Sequence, residues 1–489
     1  MQACPVCIGG KWRNITDLPL SPVYNPSEGT LIAEAPLCNA SIIAEAVQAA
    51  KEAFPDWWQT PAVDRAQVFF RYKALLERDA EELTSLIAQE HGKTLSEAKG
   101  DLRRGIQMVE YACGIPALLM GESLENVARG IDCETVRQPL GVCAGISPFN
   151  FPAMVPLWMF PVAIACGNTY VLKPSEKVPL TAIRLTELLL EAGLPAGVLN
   201  LVHGGADAVE ALLHHPDVRA ISFVGSTPVA RHIYTTATAQ GKRVQAAGGA
   251  KNFVILMPDA PVSEAVRGLT EAAFGCAGER CMAGSMAVAI GSAVKTVLPE
   301  LENAVRALRV GASHDPAVHM GPVITAAHRD RVSGLIDASE AEGARVAVDG
   351  RRCQVQAFPK GFYIGPTILD AVPTGSTPLR EEIFGPVLSV LHMEDLEAAI
   401  ALANQSAYGN GASIFTSSGR AAREFKHRIR AGMVGINVGV PAAMAYFPFS
   451  GWNESFFGDL HMQGREAVAF FTQQKVTTSR WFSPSDGDI

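Results

Sequence analysis

Apolar residues recur at helical spacing through the first quarter of the chain. After Asn39 and Ser41, either of which can cap a helix, Ile43, Val47, Ala50 and Phe54 fall on one face. A second helical stretch starts near Pro61 with Val68, Phe69, Tyr72, Leu75 and Leu76, continues through Leu83, Leu86 and Ile87, and breaks at His91-Gly92. Another runs from Leu95 to about Ala112. From Gly141 the period changes. Short apolar runs at 141–146, 169–172, 198–201 and 220–223 read as strands, with helices near 156–166, 179–192 and 206–214 between them. That alternation predicts a parallel sheet covered by helices. A second alternating block runs from about Phe253 to Val438, with strands near 254–257, 287–290, 387–391 and 411–415. Two α/β domains follow. The run 134–138 reads as one side of a hairpin and 468–481 as an extra strand, and either could pair with another subunit.

A chain of 489 residues is too long for one ordinary core, which agrees with two or three domains. With 48% apolar and 18% charged residues it reads as a well-buried soluble protein. A net charge of −8 leaves no basic footprint, so neither nucleic acid nor an anionic membrane is expected as a partner. The richest apolar run, 149–172, is interrupted by Pro152, Pro156 and Pro161 and suits a loop-to-helix passage rather than a membrane span. Residues 1–12 lack the basic start and apolar run of a signal peptide, and the ten cysteines show no framework spacing. A reducing, cytoplasmic compartment is the expectation. Cys4 and Cys7 have C-x-x-C spacing but no second ligand pair, and the turn Ile8-Gly9-Gly10 follows where a redox motif needs a helix. No histidine has a spaced carboxylate or cysteine partner, so no metal site is expected.

Several stretches carry possible chemistry. Phe274-Gly275-Cys276-Ala277-Gly278-Glu279-Arg280-Cys281-Met282-Ala283 surrounds a cysteine with small residues and puts an arginine just before it. A neighbouring cation favours the nucleophilic thiolate, although inert buried cysteines are common. In Pro148-Phe149-Asn150-Phe151-Pro152 the asparagine can supply an oxyanion donor or simply cap a turn. Lys173 and Glu176 follow a strand and can bond the two hydroxyls of a ribose, or each other. The turn Gly225-Ser226-Thr227 leads a helix, and Glu381-Glu382-Ile383-Phe384-Gly385-Pro386 could be a charged, solvated turn.

Taken in order, these segments resemble the aldehyde dehydrogenases from Ile8-Gly9-Gly10-Lys11-Trp12 to Trp481, with further echoes at Gly321-Pro322-Val323-Ile324, Gly365-Pro366-Thr367 and Pro448-Phe449-Ser450-Gly451. The resemblance implies an α/β fold with a Rossmann-type NAD-binding domain (1–122 and 141–250), an α/β catalytic domain (251–438), a small oligomerisation β-extension (123–140 and 467–489) and a return segment near the substrate mouth (439–466). It implies Cys281 as nucleophile, with Asn150 and the Cys281 N–H as oxyanion hole. NAD is expected on Ser147, Phe149, Lys173, Glu176, Gly225, Ser226, Glu382 and Phe384. Ala230 replaces the family's usual final glycine after the Gly-Ser-Thr turn.

Where hydrolytic members carry a glutamate in Glu-Leu-Gly-Gly-Lys, this chain has Val244-Gln245-Ala246-Ala247-Gly248-Gly249-Ala250-Lys251-Asn252. The base position holds Ala247, or Ala246 in the neighbouring register. Alanine cannot take a proton from water, so a thiol such as coenzyme A is the expected acceptor of the acyl group. With Gly-Ala-Lys-Asn, Gly-Glu-Arg-Cys-Met-Ala, the segment 147–161 and Gly458-Asp459, this resembles the CoA-acylating methylmalonate-semialdehyde dehydrogenase branch. That branch oxidises and decarboxylates a semialdehyde of methylmalonate or malonate to propionyl-CoA or acetyl-CoA. Arg280 and Arg104 are candidate partners for the substrate carboxylate. Val440-Pro441-Ala442-Ala443 and Gly451-Trp452-Asn453-Glu454 depart from the branch near the substrate mouth and leave the semialdehyde open. The alternatives are a hydrolytic enzyme using another base, such as Glu279, and a catalytically idle binding protein. Intact Cys281, Asn150, Lys173 and Glu382 speak against the second. A homo-oligomer, dimer or tetramer, is expected.

Overall fold

The computed structural model describes residues 2–482. Its larger sheet has eight strands in the order Phe456–Phe457, Arg243–Ala247, Val218–Val224, Val142–Ile146, Thr169–Lys173, Leu199–Leu201, Val6–Ile8 and Lys11–Arg13. The five middle strands are mutually parallel, and the strands at both edges run antiparallel. Every residue of Val142–Ile146 and Thr169–Lys173 is buried because helices cover both faces, which is why these runs are continuous rather than alternating. Over one face Ile43, Val47 and Ala50 of Ala40–Gln59 pack with Leu212 and Ile233. Under the other lie Phe69 and Tyr72 of Ala62–Arg78, Leu102 of Leu95–Cys113 and Phe160 of Met154–Ala165. Phe69 and Tyr72 have no exposed surface, and truncating such an aromatic costs about 3–5 kcal/mol.

The chain order places the site. From Val142–Ile146 the strands step outward to Thr169–Lys173 and Leu199–Leu201, then return to Val218–Val224 and Arg243–Ala247 on the other side. The order reverses between Val142–Ile146 and Val218–Val224, and carboxyl ends on either side of such a switch open a crevice. A second sheet of seven strands, with its own core, runs Arg345–Val348, Thr367–Asp370, Val387–Met393, Met286–Ile290, Phe253–Leu256, Gly411–Phe415 and Met433–Ile436. All but the first of these are parallel. A third, antiparallel sheet joins Thr472–Arg480, Ile131–Pro139 and Ser123–Ala128. It leaves Leu124, Val127, Val136 and Val476 exposed.

Three local readings differ from the periodicity. Residues 2–36 hold five short strands, and Val6–Ile8 pairs with Lys11–Arg13 about Gly9 and Gly10, at φ 59° and 75°. Strands of two or three residues are too short to show a period. The stretch from Pro61 to His91 is two helices, Ala62–Arg78 and Ala80–His91, parted at Asp79, whose carboxylate pairs with Arg78 and Arg184. The expected strand at 468–481 starts only at Thr472. Before it lies a helix, Gly464–Phe470, whose Ala467, Val468 and Phe470 enter the core. Residues 483–489 of the expected β-extension lie outside the described residues.

All ten cysteines are unpaired. Burial pushes the thiols of Cys4 and Cys7 up to about 12 and about 11, the state of inert core sulfur. Among the described residues no helix is long and apolar enough to cross a membrane.

Candidate active site

Cys281 stands where the two α/β units meet. Helix Val262–Phe274 ends in a tight turn, Gly275–Gly278, in which Cys276 and Ala277 take φ of 50° and 51°. Gly278 also has positive φ, 73°, and a Cβ there would lie 2.0 Å from the Gly385 carbonyl oxygen. Only glycine serves at that point. The amides of Asn252 and Asn410 then donate to the Cys281 carbonyl at 2.9 and 3.0 Å and fix the nucleophile's backbone. Cys281 is half-buried and lines two cavities, one of ≈ 400 Å³ and one of ≈ 530 Å³.

The larger cavity occupies the crevice of the first sheet. Ser147, Phe149 and Asn150 reach it from the end of Val142–Ile146, Lys173 and Glu176 from the end of Thr169–Lys173, and Gly225 and Ser226 from the end of Val218–Val224. Glu382 and Phe384 enter from the second sheet. All eight residues expected around a dinucleotide therefore converge with Asn150 and Cys281. Lys173 Nζ is buried, donates to the carbonyls of Pro174 and Gly204 at 3.0 and 2.8 Å, and lies 3.8 Å from Glu176. Glu382 accepts the Ala250 N–H at 2.9 Å, and burial pushes its carboxyl up to about 7. The Phe149 and Phe384 rings meet edge to face at 6.0 Å, the latter on a backbone at φ 54°.

The cavity fits a dinucleotide on its own terms. Ser226 precedes the 13-residue helix Thr227–Ala239 without capping it, and Ser226 and Val229 line the cavity, so the helix start lies where a phosphate seat is needed. Side chains are excluded close by, since a Cβ on Gly225 would come 2.4 Å from the Phe223 ring and one on Gly249 2.4 Å from Glu382 Oε2. Ser147 Oγ is buried without a partner. Ala230, in place of a glycine, is fully buried without disrupting that helix.

The smaller cavity has different walls. Arg104 and Gln107 project into it from helix Leu95–Cys113, Phe151 and Trp158 from the Asn150 turn and the following helix, and Val440 and Phe449 from the loop that closes it. Arg104 reaches the Ala443 carbonyl at 3.3 Å and the Met444 sulfur at 3.4 Å, with no carboxylate partner among the described residues. Arg280 also lines this cavity, but it is engaged. Its Nε lies 3.3 Å from the Cys276 sulfur and its Nη2 3.6 Å from Glu97.

That engagement corrects one expectation. Arg280 turns its charge to Cys276 and Glu97 and does not hold the Cys281 sulfur ionised. Burial, followed by the Glu382 carboxylate, pushes the Cys281 thiol up to about 12, against the N–H groups of Cys281 and Met282 and a small pull from Arg280. Glu279, the alternative base, is fully buried and lines neither cavity. Its Oε1 accepts the Ile324 N–H at 3.2 Å, and its main-chain carbonyl accepts Asn150 Nδ2 at 3.0 Å. Ala246 and Ala247 end a buried strand that leads into Gly248 and Gly249. Ser455 clamps that glycine pair by accepting the Gly248 N–H at 2.9 Å and donating its Oγ to the Gly249 carbonyl at 2.8 Å.

Several bracing residues carried no sequence signal of their chemistry. Lys93, Asp101, Asn410 and Ser455 are single polar residues, and their partners lie 8 to 206 positions away. Glu97 was legible in part, because Thr94-x-x-Glu97 is a capping box, and the structure forms it.

This arrangement is a family trait: the chain belongs to the aldehyde dehydrogenase family, which it matches over residues 12–477. It is 50% identical to a malonate-semialdehyde dehydrogenase of Halalkalibacterium halodurans over 474 residues, 97% of each chain. A crystal structure of methylmalonate-semialdehyde dehydrogenase from Oceanimonas doudoroffii superposes with a TM-score of 0.97 at 49% identity, covering 99% of this chain and 100% of that one. A Sinorhizobium meliloti protein, proposed to be a methylmalonate-semialdehyde dehydrogenase and solved with NAD, superposes with a TM-score of 0.98 at 45% identity, covering 99% of both.

Proposed function

We propose that this chain is an NAD-dependent, CoA-acylating dehydrogenase of malonate or methylmalonate semialdehyde, forming acetyl-CoA or propionyl-CoA with loss of carbon dioxide. The observation that carries this is the alanine pair Ala246 and Ala247 at the end of the strand that leads into Gly248 and Gly249 of the larger cavity, the position that carries the base in hydrolytic members. The names of the relatives agree with it.

Cys281 gives its thiol proton to solvent water and its sulfur attacks the aldehyde carbon. The carbonyl electron pair moves to oxygen, where Asn150 Nδ2 and the Cys281 N–H hold it. NAD, when bound, supplies the acceptor for the aldehyde hydrogen as hydride, leaving a thioester on the sulfur. Lys173 and Glu176 would hold one ribose, Glu382 the other, the Ser226 helix start would take the pyrophosphate, and Ser147, Phe149, Gly225 and Phe384 would complete the walls. A 3-oxo acyl thioester carries a carboxylate on the adjacent carbon. Breaking that C–C bond releases carbon dioxide and leaves an enolate, whose oxygen faces the same two donors. A proton closes the enolate, and the coenzyme A thiolate displaces Cys281 as the acyl-CoA departs.

Arg104 is the better-placed anchor for the substrate carboxylate, because its fork has no anionic partner. Arg280, held by Cys276 and Glu97, lines the same cavity and adds positive potential. The 1–122/141–250 and 251–438 units serve as cofactor and catalytic domains. The exposed three-stranded sheet supports a homo-oligomer, in which Leu124 and Val476 would find cover. Ten unpaired cysteines support a reducing compartment such as the cytoplasm.

The test is NADH formation from each semialdehyde with and without coenzyme A, with products identified. Turnover that needs coenzyme A and yields carbon dioxide with acyl-CoA is expected. Free acid released equally fast without a thiol would refute the proposal.

A further inference from the structure

The turn bearing Asn150 is held by a buried ion pair, of which Asp101 also borders the smaller cavity. Lys93 and Asp101 side chains have no exposed surface and meet at 2.9 Å, Nζ to Oδ2. Lys93 Nζ also donates to the main-chain oxygen of Asn150 at 2.7 Å and lies 4.1 Å from the centroid of the Phe151 ring. Asp101 Oδ1 accepts the Met154 N–H at 2.7 Å. Apart from the ion pair itself, these contacts all fall on residues 150 to 154. Lys93 lines neither cavity.

Burying two opposite charges is a poor way to gain stability, since an apolar pair of similar size often does as well or better. What a satisfied buried pair can supply is a fixed geometry for its further partners. Asn150 needs that. Its Nδ2 gives one N–H to the Glu279 carbonyl at 3.0 Å, its Oδ1 is buried without a partner, and its second N–H is left for the substrate oxygen. One side-chain bond does not fix an amide, so the backbone of residue 150 must be held from elsewhere. The same helix braces the nucleophile's turn, because Glu97 accepts the Cys276 N–H while closing the capping box with Thr94. The start of Leu95–Cys113 thus holds both Asn150 and the Cys281 loop.

We propose that Lys93 and Asp101 are positioning residues that aim the Asn150 amide at the oxyanion formed on Cys281 and so set the acylation rate. The inference rests on the reading of Cys281 and Asn150 given above. The test is a double-mutant cycle on the full chain. Lys93→Met/Asp101→Leu removes both charges and leaves no unpaired ion, so the fold should persist. It is compared with Asn150→Ala and with all three substitutions combined. The aldehyde is propanal, uncharged and independent of Arg104. The readouts are the rate of the first NADH burst, the KM for propanal and NAD affinity by titration.

The pair variant is expected to slow the burst about 10- to 100-fold, part of what a lost oxyanion donor costs. KM and NAD affinity should stay within about 3-fold. In the Asn150→Ala background the pair variant should add less than about 2-fold, because its effect runs through an amide already gone. A burst at the parental rate, or losses that multiply across the cycle, would overturn the inference while leaving the function intact. Absence of any acyl adduct on Cys281 in the parent would overturn the function, and this inference with it.

Discussion

The cavity on the cofactor side of Cys281 is walled mainly by turns that follow parallel strands, glycines among them. The cavity on its other side is walled by side chains from two helices, the Asn150 turn and one irregular loop. Gly225, Ser226, Gly248 and Gly249 face the first, whereas Arg104, Gln107, Trp158, Val440 and Phe449 face the second. Backbone geometry at strand ends follows from sheet topology, so the first wall can persist while side chains change. The second wall is set residue by residue and, in the function proposed above, decides which aldehyde is accepted. One holds what every reaction of this kind needs; the other holds the choice of substrate.

The severest way to break the comparison is at the residue both cavities share. Cys281→Ala should lower acyl transfer by on the order of 10⁴-fold or more, because among the described residues Cys281 alone lines both cavities, whereas Cys276 lines only the smaller. NAD affinity should change little, since the eight residues placed around the dinucleotide are untouched. Mass spectrometry with substrate and NAD should then find no acylated protein. An adduct elsewhere would move the nucleophile from Cys281.

Next is the oxyanion donor. Asn150→Ala should slow the NADH burst about 10²–10³-fold, with NAD affinity close to parental. A raised KM at unchanged burst rate would make Asn150 a binding group only. Because burial holds the Cys281 thiol near 12, the burst should also rise with pH across the neutral range, approaching tenfold per unit where ionisation limits it.

Arg104→Ala acts on the second wall alone. It should raise KM for malonate semialdehyde by about 10- to 100-fold, the worth of a charged hydrogen bond to a carboxylate, and leave propanal kinetics near parental. Arg280→Ala should affect both aldehydes, because it also strips the Cys276 sulfur and Glu97 of their partner. Equal effects of Arg104→Ala on the two aldehydes would take the anchor away from Arg104.

The two walls differ in legibility as well. The cofactor wall lies on contiguous motifs after strands, so Asn150, Lys173, Gly225 and Glu382 could be placed before any coordinates. Its parallel strands were legible as apolar runs, and elsewhere the second-sheet strand at 411–415 and the helix at 206–214 fell at their observed bounds. The second wall was legible at Arg104, Arg280 and the loop Val440-Pro441-Ala442-Ala443, and at the two arginines the sequence could not say which charge was free. That depends on Glu97, 183 positions before Arg280, turning its carboxylate to the Cys276 turn. Lys93 was invisible for the same reason, since a lysine after a helix end usually faces water. Its burial follows from the αL turn at Gly92, φ 93°, which redirects the chain inward.

Glu279 gives the smallest expected effect and separates the acylating reading from a hydrolytic one. Its carboxyl is fully buried, one oxygen has no partner, and desolvation pushes it from 4.5 up to about 8. Its folded value lies above its unfolded one, so its contribution to stability is complete below about pH 4.5. That contribution is lost as pH rises toward 8, as the buried group comes under growing pressure to ionise. Glutamine cannot ionise. Glu279→Gln should therefore match the parent near pH 5 and gain on it with rising pH, by at most about 1.4 kcal/mol per unit, measured as the difference in Tm. CoA-dependent turnover should stay within about 3-fold, because Glu279 lines neither cavity. If Glu279 instead readied a water, the parent would release free acid without coenzyme A and the variant would not. A Tm difference that ignores pH would mean that the carboxyl is not the desolvated acid its surroundings imply.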